Sequence, residues 1–133
     1  MMSLIYVALV HKAEKKGADY GVMFPDLPGC VFGGKTLNEA LENAREGVIF
    51  HIEGLIDAGE TVPDPSPLEV IESNPAYKGA TPALIRVIMP TGHLKRLNIS
   101  MDAGLIAEID HIAKLVGKNR SEFLADAARQ FIA

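Results

Sequence analysis

The sequence predicts an α+β protein in two parts, a β-β-β-α-β unit over residues 1–93 and a smaller β-α-α unit over residues 94–133. Three observations carry that prediction. Short apolar runs separated by turn residues fill the chain up to residue 34, the pattern of successive strands. One long stretch then repeats apolar residues every three or four positions, the pattern of an amphipathic helix. Finally, RLNISM at residues 96–101 alternates strictly between polar and apolar and precedes two short helical patterns.

The first strand is expected at LIYVALV, residues 4–10, and the second at DYGVMF, residues 19–24, joined by the polar turn HKAEKKGA as a hairpin. PDLPG places two prolines and a glycine within five residues, which a central strand does not tolerate, before CVFGGKT resumes an extended stretch. Three antiparallel strands result. Thr36 and Glu39 form a T-x-x-E capping box, after which Leu37, Leu41, Ala44, Val48, Ile52 and Leu55 recur at helical spacing up to Gly59. Such a helix spans roughly 33 Å, enough to cross a sheet face. Gly47 and Gly54 each weaken it by up to about 1 kcal/mol relative to alanine. The proline-rich TVPDPSPLEVIESNP ends it, and the nearly continuous apolar run ALIRVIM, residues 83–89, is expected to re-enter the sheet at an interior position. PTGHL is a brief hinge.

In the tail, Leu105, Ile109, Ile112 and Val116 mark one helix, with Ser100 or Asp102 as its cap and Gly117 as its stop. Asn119 and Glu122 start a second helix, whose stripe is Leu124, Ala128 and Phe131, flanked by Phe123, Ala127 and Ile132. The tail is 40 residues long, a size at which a unit without disulfides or metal rarely buries enough surface to fold alone. Adding RLNISM to the edge of the N-terminal sheet is one remedy. The favoured one is a homodimer, in which two chains pair this segment antiparallel about a twofold axis with Leu97, Ile99 and Met101 against the four helices. Arg96, Asn98 and Ser100 then line the open face of a two-stranded ribbon that fits the DNA major groove, where Arg reads guanine, Asn reads adenine and Ser accommodates several bases. Lys95, Lys118, Asn119, Arg120 and Ser121 are the candidate phosphate contacts, the last four at a helix N-terminus. The alternative for these residues is a solvated strand face and an ordinary helix cap.

Composition bounds the rest. With 48% hydrophobic and 23% charged residues among 133, the chain is of soluble globular type. No apolar run is long enough to span a membrane and the N-terminus lacks a cleavage signal, so a cytoplasmic location is expected. Residues 1–93 carry 7 Lys and Arg against 12 Asp and Glu, whereas residues 94–133 carry 6 against 5. The asymmetry permits nucleic-acid contact by the tail without demanding it. Cys30 is the single cysteine and is expected to be a buried, inert thiol.

The tail, through I-D-x-I-A and G-x-x-R-S-E-F, resembles the ribbon-helix-helix repressors. Asp102 stands where many members carry proline, and Gly104 is a poor helix residue, which implies a looser start to the first helix. The N-terminal part, through PDLPGC, T-x-x-EAL-x-NA-x-E and G-E-x-V-P-x-P-S, resembles the HicB antitoxins. That resemblance implies a truncated RNase H-like fold, neutralisation of a HicA-like mRNA-cleaving toxin, and repression of the shared operon through operator DNA.

No enzyme activity, metal or cofactor is expected. Metal-dependent cleavage would need convergent carboxylates. The candidates Glu14, Asp19 and Asp26 include one in a lysine-rich turn and one, Asp26, suited to a local Asx-type bond. His11, His51, His93 and His111 show no ligand spacing. Two readings stand: a DNA-binding antitoxin, or an orphan protein-interaction module whose ribbon only dimerises it. An exposed edge of the N-terminal sheet would join two dimers into a tetramer.

Overall fold

Five successive residues of the first strand, Tyr6 to Val10, are buried, which requires cover on both faces. The computed structural model describes residues 3–12 and 19–132 and shows how that cover arises. β1 (Ser3–Lys12) lies between β2 (Tyr20–Met23) and β4 (Thr81–Ile88), and β3 (Val31–Gly34) flanks β2. The order is β3-β2-β1-β4, with every pairing antiparallel. Leu9 pairs with Met23 on one side, and Tyr6 pairs with Ile85 on the other.

β4 is therefore an edge strand, which corrects the interior position expected of it. Ile85 and Val87 are buried but Leu84 and Arg86 are exposed, so its apolar run has only one covered face. The strand covered on both faces is β1.

The first layer is α1 (Leu37–Asp57). The Thr36 hydroxyl accepts from the Glu39 amide at 3.1 Å, as the capping motif requires. The Glu39 carboxylate accepts from the Lys35 amide at 3.4 Å, one residue before the cap, so the reciprocal half of the box is displaced. Ala40, Ala44, Val48, Ile49 and Ile52 are the buried row. Leu37 is exposed and Leu55 half-buried, so the core-facing stripe is rotated from the expected one towards small residues. The reason is close approach. A Cβ on Gly34 would lie 2.4 Å from the Ala40 amide nitrogen, and Asn43 donates to the Gly33 carbonyl at 2.8 Å. The core under α1 includes Tyr6, Val22, Phe24, Leu27 and Cys30, with Phe24 edge-on to Phe32 at 6.3 Å. Burial pushes the Cys30 thiol up to about 11.

The opposite sheet face is covered from within the proline-rich segment, whose sequence shows no helical period. α2 (Leu68–Glu72) and a 3-10 turn at Pro75–Tyr77 set Ile71, with Leu68 and Tyr77, against Val7 and Leu9. The segment is anchored in two places. Ser66 donates its amide at 2.7 Å and its hydroxyl at 2.6 Å to the Asp26 carboxylate, and the Tyr6 hydroxyl donates to the Pro63 carbonyl at 2.5 Å. Asp26 thus makes a long-range clamp in place of the local Asx bond.

The chain divides into two compact units, Met1–Gly92 and His93–Ala133. The second contains α3 (Ala103–Leu115) and α4 (Arg120–Ile132). Among the described residues no helix is long and apolar enough to cross a membrane.

Candidate nucleic-acid interface

Residues 96–101 keep their alternation but form no strand within one chain. No backbone hydrogen bond among the described residues involves positions 94–101, and the segment is absent from the four-stranded sheet. A strand exists only where a ladder satisfies its amides and carbonyls, and this chain supplies none here. Arg96, Asn98, Ser100 and Lys95 are exposed. Leu97 and Ile99, expected in a core, are 71% and 64% exposed, while Met101 is half-buried.

The helices behind this segment have well-formed ends. Asp102 caps α3 by accepting from the Leu105 amide at 3.0 Å, so the first turn is regular despite Gly104 and the missing proline. At the other end Gly117 takes φ +73° and the Lys118 amide donates to the Ala113 carbonyl at 2.8 Å, which closes α3. α4 opens on a complete reciprocal box: Asn119 accepts from the Glu122 amide at 2.8 Å, and Glu122 accepts from the Asn119 amide at 3.1 Å. The first intrahelical bond there runs from the Phe123 amide to the Asn119 carbonyl, so the amides of Arg120 and Ser121 lie ahead of it at the positive end of the helix.

The basic side chains at this end have acidic neighbours that periodicity did not reveal. Lys118 meets Asp126 at 2.5 Å, and Arg129 meets the same carboxylate at 3.4 Å. Arg120 grips Asp110 through two bonds of 2.9 and 2.7 Å. The bidentate guanidinium holds the Asp110 carboxyl below its ordinary range, and Asp110 in turn raises Arg120. Lys118, Asn119, Arg120 and Ser121 are thus brought together at one turn, with two of them already neutralised. The pairs Arg120–Asp110 and Lys118–Asp126 span ten and eight residues, beyond the three- and four-residue spacing that marks helix neighbours, whereas Arg129–Asp126 falls within it.

The apolar faces of this unit are only partly covered. Ile109 and Ala113 are buried, but Leu105, Ile112, Val116 and Phe131 are 51%, 40%, 57% and 94% exposed.

Asp19 and Asp26, the described carboxylates weighed for metal, join no cluster of three potential ligands among the described residues. Asp26 is engaged by Ser66, Asp19 is exposed, and Glu14 lies outside the described residues. Among the described residues no cluster of three His, Cys, Asp or Glu side chains forms.

Comparison with known proteins places these features. Residues 6–128 match the family described as HicB-like antitoxin of bacterial toxin-antitoxin system. An uncharacterised 14.9 kDa protein from the rep-hol intergenic region of Haemophilus phage HP1 is 37% identical over 119 residues, covering 86% of this chain and 90% of that protein. The crystal structure of the Burkholderia pseudomallei antitoxin HicB is 34% identical with a TM-score of 0.57, covering 97% of this chain and 96% of that one. A chain of the HicA3 and HicB3 toxin-antitoxin complex is 28% identical with a TM-score of 0.50, covering 65% of this chain and 99% of that one. With a match across nearly its whole length, the chain belongs to the HicB-like antitoxin family of bacterial toxin-antitoxin systems.

Proposed function

We propose that this chain neutralises a HicA-like, mRNA-cleaving toxin through residues 1–93, a truncated RNase H-like unit, and represses the shared operon through residues 94–133. Two copies pair residues 96–101 into a ribbon and form a ribbon-helix-helix unit that binds double-stranded operator DNA. The observation that carries this reading is the state of the tail in one chain: Leu97 and Ile99 lie open within an alternating segment whose backbone has no ladder, and Phe131 of α4 is exposed as well. A second copy supplies both the missing hydrogen bonds and the apolar cover. Arg96, Asn98 and Ser100 then face outward together, and the start of α4 lies ready for phosphate. Similarity to an antitoxin solved with its HicA3 toxin supports the protein partner.

The test is binding to the DNA upstream of its own gene, followed across salt concentrations. Asn98→Ala is expected to lose roughly 1 to 3 kcal/mol of base discrimination, and Lys118→Ala to lower the salt slope by about 1 with little change in sequence preference. Promoter binding unchanged in both variants would refute the site assignment. One observation favours the alternative reading, in which the ribbon serves oligomerisation alone: Lys118 and Arg120 already hold carboxylates. That reading predicts a dimer with no preference for its promoter over unrelated DNA.

A further inference from the structure

One face of α1 is left partly open beside β3. Gly47, Phe50, His51, Gly54 and Leu55 recur at helical spacing and, with Phe32 and Gly29, line a shallow depression of about 370 Å³. Phe50 stands at its rim, 79% exposed. An aromatic ring left this far in water, the most exposed apolar side chain of α1, marks a contact surface.

The two glycines differ in a way that points outward. A Cβ on Gly47 would come within 2.0 Å of the Phe32 ring, so the fold itself explains that glycine. At Gly54, apart from its chain neighbours and the adjacent helix backbone, no atom lies within 4 Å of where a Cβ would stand. Glycine costs a helix up to about 1 kcal/mol relative to alanine, and here nothing internal offsets the cost. Close approach of another molecule's backbone would.

The rim selects the occupant. Glu46 precedes Phe50 by one helical turn, Glu53 follows it by one, and Asp57 by two; Glu46 and Asp57 are exposed. A second copy would set this acidic rim against itself, and nucleic acid would meet the same repulsion. A basic protein surface fits, and a toxin that binds RNA must carry one.

We infer that the groove between Phe32 and Phe50 on α1 is the docking site for the toxin's basic surface, with an apolar toxin side chain seated against Phe50 and Gly54. This rests on the antitoxin reading above.

The probe is the HicA-like toxin that the antitoxin reading requires, catalytically inactivated so that it can be purified, titrated against the whole 133-residue chain. Phe50→Glu is expected to weaken binding roughly 30-fold or more, as loss of a central aromatic contact does. Glu46→Lys with Asp57→Lys should slow association and remove its salt dependence. Gly54→Ala should raise the urea midpoint yet weaken toxin binding, a combination that a purely structural role does not produce. Promoter binding by all of these variants should match the wild type. If the wild-type chain binds the toxin and the variants bind equally well, the groove is not the dock and the antitoxin reading survives. A wild-type chain that fails to bind the toxin overturns both. Should Phe50→Glu instead reduce the oligomer size, the face is a contact between copies and the inference is wrong.

Discussion

Asp26 shows how a single side chain can join two segments that look like separate turns. Its carboxylate takes both the amide and the hydroxyl of Ser66, 40 residues away. The PDLPGC turn and the proline-rich exit of α1 are thereby one construction, braced further by the Tyr6 hydroxyl on Pro63. Replacing Asp26 with Ala strands the Ser66 donors in a half-buried place and should lower stability by about 1 to 3 kcal/mol in urea denaturation. An unchanged midpoint would mean that water replaces the carboxylate without loss. Nothing in the local sequence announces this contact, because proline and aspartate together signal a turn whatever the aspartate goes on to hold. The same holds for Asp110 and Asp126. Their charges are visible in the sequence, but Arg120 and Lys118 reach them only once the turn between α3 and α4 has folded.

Among the elements, legibility followed local periodicity and failed where a neighbour decides the outcome. The three- and four-residue spacing located α1, α3 and α4, and the capping residues Thr36 and Asn119 marked two of their starts. The edge position of β4 was hidden because apolar character records what a strand can bury, not how many faces are covered. α2 was hidden because five residues between prolines are too few to display a period. Residues 96–101 lie at the limit of this logic, since alternation names a strand but not the chain that completes it. The reciprocal box at the start of α4 offers an element-scale check. Asn119→Ala should destabilise the C-terminal unit by about 1 kcal/mol, read as a lower thermal midpoint, because the Glu122 amide loses its acceptor. Asn119→Asp, which keeps an acceptor, should restore most of it.

At the scale of the whole molecule, the two units divide chemical character between them. The N-terminal unit builds its own core, bears all of the acidic excess and leaves an apolar groove with a negative rim. The C-terminal unit leaves Leu97, Ile99 and Phe131 exposed and carries Arg96, Asn98 and Ser100 on a segment with no backbone ladder among the described residues. Under the proposed function, a basic toxin and a DNA duplex call for surfaces of opposite charge, which this division keeps apart. The central claim is the shared ribbon, and its most direct test is isotope-filtered NMR on a dimer assembled from one labelled and one unlabelled copy. The account predicts cross-strand contacts between residues 96–101 of one chain and the same residues of the other. Contacts confined within each chain, or a dimer held together elsewhere while residues 96–101 stay in solvent, would contradict it.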